Sequence, residues 1–286
     1  SVTLELAIPP GTDWDRLVKI ASELETSEEM DLIAVSRKDA LKKRIMPAVE
    51  NPAEWEIFED YITYIIEKAP GIESPREFIK NVDVAALILA EPRERISEDN
   101  RAFILESAMQ YSATDLALID WNSALLIEPD GQRDVADVIE FSLTHLLEFR
   151  YYDEMLGRKL DQLYDTMDQK RESVVNIFRN VYADIAEDSS RKYMEFSEFL
   201  GRVENSLKTV GDSYLAVVFR ASTVEFRFAD WRNSISRKME TLAQISHILH
   251  SEVNTKRSHW LEIIVILLIA LELIPLALTL KGAFAP

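Results

Sequence analysis

The sequence predicts an α+β protein, mostly α: an N-terminal α/β head, long coiled-coil-like helices behind it and a single C-terminal transmembrane helix. Three observations predict this. Strand and helix-start signals alternate through the first 130 residues, apolar residues then recur at intervals of three and four as far as Leu249, and 14 of the 20 positions from Leu261 to Leu280 are Leu, Ile or Val. The expected division is a head at 1–130, a helical coiled-coil region at 131–259 and a membrane anchor at 260–281.

The head opens on Val2 to Ile8, whose alternation before Pro9-Pro10-Gly11 suits a strand. Thr12 or Asp13 can cap a helix to about Glu25. Leu32 to Val35 is a short apolar run expected as a second strand. Asn51-Pro52-Ala53-Glu54 has the form of a helix start, an Asn cap with Pro at the first position and Glu at the third, and that helix should end before Pro70-Gly71. Ser74-Pro75-Arg76-Glu77 repeats the start signal. Val82 to Leu89 reads as a buried strand, and Ser97 caps a helix to about Tyr111. Leu116 to Ile119 and Ala124 to Ile127, split by Asp120-Trp121-Asn122-Ser123, form the expected hairpin.

Beyond Pro129-Asp130-Gly131 no further strand is expected. Apolar positions run Leu146, Phe149, Tyr152, Leu156, Leu160, Leu163, Met167, then Val174, Ile177 and Val181, with the acidic Ala186 to Ser190 marking a turn. They resume as Tyr193, Phe196, Leu200, Val203, Leu207, Val210, Tyr214, Val217, Ala221, Val224, Phe228, Trp231 and Ile235. Lys238 breaks the register, and Leu242, Ile245 and Leu249 restore it. Such spacing predicts long helices packed in coiled-coil fashion, within one chain or between chains. Gly201 and Gly211 argue against one uninterrupted rod, and a turn is expected between Gly211 and Asp230.

The final run matches a bilayer core of about 30 Å at 1.5 Å per residue. Its aliphatic residues supply roughly −4 to −8 kcal/mol of insertion energy, against about +2.5 to +3.5 for an acidic group at mid-membrane. One buried Glu is tolerable and two are marginal. The expected arrangement places Glu262 at the interface with Trp260 and Leu261, and leaves Glu272 protonated or hydrogen-bonded to a partner helix, while Pro275 is absorbed as a kink. A buried hairpin helix is the alternative. Between Arg220 and Trp260 seven basic residues face four acidic ones, although the whole chain carries −18. The juxtamembrane basic residues Arg237, Lys238, Lys256 and Arg257 suit anionic headgroups and place the head on the cytoplasmic or matrix side, unless they are simply a solvated helix face. An acidic head is a poor binder of nucleic acid.

Motifs for catalysis are sparse. The absence of cysteine excludes disulfides, thiolate metal sites and a cysteine nucleophile. No G-x-S-x-G, G-x-G-x-x-G or phosphate-loop pattern occurs. His247 and His250 share a helix face but have no third ligand nearby, so no metal and no cofactor are expected. Asp120, Trp121 and Asn122 could line a pocket, though a hairpin tip explains them. Pairs such as Glu195 with Glu198 and Asp184 with Asp188 are unremarkable among 50 acidic residues.

Lys256-Arg257, Leu261-Glu262, the aliphatic run Ile263 to Ile269 and Leu271-Glu272 together resemble the C-terminal signature of the "required for meiotic nuclear division" family: a basic residue, Leu-Glu, an aliphatic run and a second Glu about ten residues on. Ile263 stands where that family has an aromatic. The resemblance extends over roughly residues 80 to 280. It implies a self-associating inner-membrane protein, in eukaryotes matrix-facing and tethering ribosomes in support of translation, and the acidity here suits a bacterial member with a cytoplasmic head. No catalytic residue is carried over.

The sequence is thus expected to be a membrane-anchored, homo-oligomeric scaffold or tether whose partners are the lipid bilayer, further copies of itself and a ribosome or other protein. The alternatives are a membrane-bound enzyme with a pocket in the head, and an ion or proton conductor acting through Glu272.

Overall fold

A computed structural model describes residues 1–50, 54–67, 74–91, 95–169, 191–203, 205, 212–245 and 262–269. The protein is mostly helical with one small sheet. It divides into two compact units, the first formed by Ser1–Tyr152 with Leu200–Arg232 and the second by Asp153–Phe199 with Asn233–Pro286.

The first unit is built on strands β1 (Ile62–Ile66), β2 (Leu116–Ile119) and β3 (Ser123–Ile127) in the order β1-β3-β2. The hairpin β2-β3 is antiparallel with Leu118 opposite Leu125, closed by Asp120 N–H donating to the Ser123 carbonyl at 2.9 Å. β1 joins the other side of β3 in parallel, with Tyr64 opposite Leu125. One face carries Ile62, Tyr64, Ile66, Leu116, Leu118, Leu125 and Ile127 against the N-terminal helices. Ala117, Ile119, Ala124 and Leu126 alternate with these and are equally buried, so β2 and β3 are covered on both faces, which is why they read as continuous apolar runs.

Helix α1 (Trp14–Glu25) starts where Asp13 accepts the Arg16 N–H, and it turns Trp14, Leu17, Val18 and Ala21 into this core at helical spacing. Helices α3 (Pro75–Asn81), α4 (Val84–Ile88) and α5 (Glu98–Glu106) cover the same face, capped by Ser74, Asp83 and Ser97. Between Glu25 and β1 lies α2 (Glu28–Ile45), which buries no residue, followed by a 3-10 turn at Met46–Ala48.

Several expectations for the head are corrected. Val2 to Ile8 forms no strand. Leu32 to Val35 lies inside α2. Val82 to Leu89 is the short helix α4, whose five residues are all buried, because a continuous apolar run looks alike as a central strand and as a fully buried helix turn. The helix expected after Asn51-Pro52 is not formed at 54–60, which have no regular secondary structure and lead into β1, where β-branched and aromatic side chains in Tyr61-Ile62-Thr63-Tyr64-Ile65-Ile66 favour the strand.

Helix α6 (Asp134–Gln169) runs for 36 residues. In the first unit its Leu146 and Phe149 are buried, and Phe149 meets Phe228 at 5.0 Å. Helix α8 (Ser213–Glu225), preceded by α7 (191–203), packs on β2. The heptad reading misplaces its buried stripe by one residue. Val218, Phe219 and Ser222 are inside while Val217 and Val224 are exposed. Ser222 can sit in the core because its hydroxyl donates to the Val218 carbonyl at 3.0 Å. The turn expected between Gly211 and Asp230 falls at Phe226-Arg227, where Arg227 adopts φ 55° and its carbonyl starts α9 (228–245) by accepting from Asp230 and Trp231. In the second unit Leu156, Leu163, Phe196, Phe199, Ile235, Met239 and Leu242 are buried.

The C-terminal anchor is also corrected. Among the described residues no helix is long and apolar enough to cross a membrane. Of the expected span, residues 262–269 are described and helical. The single transmembrane helix, the inner-membrane localisation and the cytoplasmic or matrix head that followed from it are therefore not supported. Glu262 begins this stretch. Trp260, Leu261, Glu272, Pro275, Lys256 and Arg257 lie outside the described residues, as do Ala186 to Ser190 and His247, His250 and His259.

Candidate functional site

Polar chemistry concentrates at the carboxyl ends of the parallel strands, where open α/β sheets bind ligands. β1 and β3 end together, and each is followed by a glutamate. The N–H of Glu128 donates to the Ile66 carbonyl at 3.0 Å and completes the ladder. The Glu128 carbonyl then accepts from Gly131, whose φ of 69° turns the chain into α6. Held this way, Glu128 is 9% exposed. Burial, and then the nearby carboxylates of Asp115, Asp130 and Asp134, push its carboxyl up to about 7.

Asp115 precedes β2 at the same end and is fixed by the Tyr111 N–H at 2.8 Å and the Ser112 N–H. Tyr214 enters from the first turn of α8, where Asp212 accepts its N–H at 2.6 Å, and its ring lies 5.3 Å from that of Tyr111. The Tyr214 hydroxyl is buried with no hydrogen-bond partner among the described residues. Burial, Asp115 and Glu128 all raise it above the ordinary phenol range. The arrangement pairs a carboxyl that titrates near neutrality with a phenol held neutral, a composition suited to moving protons. Among the described residues no group of three or more His, Asp or Glu side chains is placed to hold a metal ion.

The opposite end of the sheet carries a fastening. Tyr61 donates to the Asp120 carbonyl at 3.0 Å and meets Phe226 edge-on at 5.7 Å, joining the start of β1 to the end of α8. Asp120 and Glu225 are both raised by burial, and Asp120 raises Glu225 further. The Asp120 to Ser123 segment is therefore the hairpin tip, with Trp121 exposed and Asn122 donating to Glu25. Another structural device is the Asp83 and Arg101 ion pair, nearly buried, in which Asp83 also caps α4 and receives the Trp14 indole N–H on its carbonyl at 3.0 Å.

The two basic residues expected near a membrane that are described separate. Arg237 is exposed. Lys238 turns inward, with Nζ 2.9 Å from the Asp153 carboxylate and 2.8 Å from its carbonyl, while Ser234 donates to the same carboxylate at 2.7 Å. The break in heptad register at Lys238 is thus a polar pin to α6. His145 is buried between Phe141 and Phe219, with Nδ1 3.0 Å from Glu148.

Helix α2 presents exposed apolar residues. Leu32 is 70% exposed, and Leu41 and Ile45, one turn apart, project with Met46 beyond the helix end. Residues 37–44 hold Arg37, Lys38, Lys42, Lys43 and Arg44 against one Asp39. Lys38 and Lys42 engage Glu54, whose carboxyl they hold below the usual range, while Arg37, Lys43 and Arg44 are exposed.

Residues 1–134 match the family described as "Uncharacterized protein MJ0711, N-terminal domain". The chain is similar to "Uncharacterized protein MJ0711" of Methanocaldococcus jannaschii, 21% identical over 260 residues, which is 90% of this chain and 77% of that one. No solved structure matches. These findings overturn the resemblance to the "required for meiotic nuclear division" family. That resemblance rested on a basic pair, two glutamates and an aliphatic run, and hydropathy alone selects most of those residue types. The matching family lies instead at the other end of the chain, and the relative is archaeal.

Proposed function

We propose that the chain is a scaffold that works by binding protein partners, with α2 as its partner-facing element. The observation that carries this reading is a helix of 18 residues that buries nothing. A helix is ordinarily held by an apolar stripe on a core. Here the sequence supports the helix locally, with acidic residues Glu28, Glu29 and Asp31 in the first turn and Lys42, Lys43 and Arg44 in the last, each complementing the helix dipole. Its apolar residues are left available. Leu41 and Ile45 flanked by Arg37 and Arg44 fit a partner whose apolar groove is rimmed with carboxylates, the helix-in-groove mode of recognition. The stiff polar pin at Lys238 suits a helical part that holds its assembly in fixed register.

The test replaces Arg37, Lys43 and Arg44 with Glu and Leu41 with Gln in the full chain. Proteins captured on the native chain are identified, and the purified partner is titrated against both forms at two salt concentrations. The reading expects at least a tenfold weaker Kd for the variant and a salt-dependent native Kd. Equal affinity of the two folded proteins for the same partner contradicts it.

A second reading, favoured by Glu128 and Tyr214, is an acid–base enzyme with its site at the carboxyl end of the sheet. It expects Glu128→Gln to abolish turnover of a substrate whose rate follows a titration near pH 7, and leaves the unburied helix α2 unexplained.

A further inference from the structure

We infer that the outer edge of β1 is an interaction surface for residues 2–8 of a second copy of this chain, so that two copies exchange N-terminal strands. The inference extends the scaffold reading to how copies join, and does not depend on α2.

β1 is the edge of the sheet. Ile62 N–H bonds to the Asn122 carbonyl and the Ile66 carbonyl accepts from Glu128, so by the pleat Ile62, Tyr64 and Ile66 face β3 while the backbone groups of Thr63 and Ile65 face outward. No backbone hydrogen bond reaches Thr63 or Ile65 from outside the β1-β3 pair among the described residues. Natural edges are blunted by Lys, Pro or a bulge. This one reads Ile-Thr-Tyr-Ile-Ile and has none of these.

The complementary half lies in the same chain. Val2, Leu4, Leu6 and Ile8 alternate as a strand does, yet each is 38–50% exposed, and residues 1–8 form no backbone hydrogen bond among the described residues. The segment has seven residues against the five of β1, enough to span that edge. It leads into Pro9-Pro10-Gly11, a tight turn in which Thr12 N–H donates to the Pro9 carbonyl at 3.3 Å and Gly11 adopts φ 84°, and this turn is the hinge of the exchange. In its own chain the arm is tied by side-chain bonds near the end of β1. Arg133 bridges Glu5 at 3.0 Å to Glu67 at 3.2 Å, just past the strand. Beyond that point Ser1 and Thr3 hydrogen-bond to Glu140 on α6. A strand pattern of seven residues is therefore held at home by side chains alone. Seated on the edge of a second copy it gains ladder hydrogen bonds and covers its apolar residues, and the reciprocal exchange closes a twofold pair.

The absence of cysteine makes the test direct. Chains carrying Thr3→Cys, Glu5→Cys or Ala7→Cys are each mixed with a chain carrying Thr63→Cys and oxidised, and the mass of the unmodified chain is compared with that of a form lacking residues 1–8. The expected result is a mixed disulfide dimer in at least one mixture, tenfold above either single variant alone, and a halving of mass on deletion with unchanged circular dichroism. If the deletion form misfolds, the disulfide arm decides alone. The inference is overturned if no mixture gives the cross-chain dimer, if a doubly substituted Thr3→Cys, Thr63→Cys chain closes only on itself, or if the folded deletion form keeps its mass. Loss of partner binding through α2 would leave these outcomes unchanged.

Discussion

Glu128→Gln should make the protein more stable at pH 8 and leave it unchanged at pH 4. The Glu128 carboxyl is pushed up to about 7 from an ordinary 4.5 by burial and by Asp115, Asp130 and Asp134. Between those values the folded chain keeps a proton that the unfolded chain gives up, so stability is fully present below about pH 4.5 and is lost as pH rises through about 7. At 1.36 kcal/mol per unit the whole difference is about 3 kcal/mol, and screening by the solvent that still reaches the turn at Asp130 reduces it to about 1–2 kcal/mol. Gln has the same shape and never ionises. Urea unfolding followed by circular dichroism at half-unit intervals from pH 4 to 8 measures the effect. Two curves that meet near pH 4 and separate by about 1–2 kcal/mol above pH 7 are expected. Parallel curves, or a variant weaker than the native chain at pH 8, would refute the assignment of a buried, self-repelling carboxyl.

Other perturbations follow from the same geometry. Arg101→Ala leaves the nearly buried Asp83 carboxylate without its guanidinium and should lower stability by about 3 kcal/mol in urea unfolding, whereas Asp83→Asn keeps the α4 cap and should cost less. Lys238→Ala removes two hydrogen bonds to Asp153 and should destabilise by about 1–2 kcal/mol, with faster amide exchange in 233–245 than in β3. Leu41→Gln with Ile45→Gln should change stability by less than about 0.5 kcal/mol, since neither is packed, yet weaken partner binding. A large loss of stability there would mean that α2 is already covered.

What was legible in the sequence was what local chemistry decides. Asp13, Ser74 and Ser97 announce helices that form, because a side chain accepting the third N–H acts within one turn. The turn Asp120 to Ser123 announces the hairpin for the same reason. Where tertiary burial decides, local pattern failed. Val84–Ile88 and Leu32 to Val35 are apolar runs that a strand or a helix could use, and the Tyr61 to Ile66 strand was hidden behind a helix-start signal that is not followed by helix at 54–60. In α8 the run Tyr214 to Phe219 is apolar on every side, so only packing on β2 selects Val218 and Phe219. The apolar run at Leu261 to Leu280 dominated the reading by hydropathy, yet no described helix bears out a span. Glu128 could not be singled out among 50 acidic residues, because its character comes from the strand end that buries it. The one visible signal was a glutamate between a buried strand and Pro129-Asp130-Gly131. Lys238 was visible as a break in register, but its partner Asp153, 85 positions away, was not.

Amide exchange across Glu28–Ile45 tests the binding role of α2 most directly. In the purified chain this helix, which buries none of its residues, should exchange much faster than β2 and β3. On titration with the captured partner its protection should rise at least tenfold, most strongly around Leu41 and Ile45. Partner binding that protects other elements and leaves α2 exchanging as before would contradict the account.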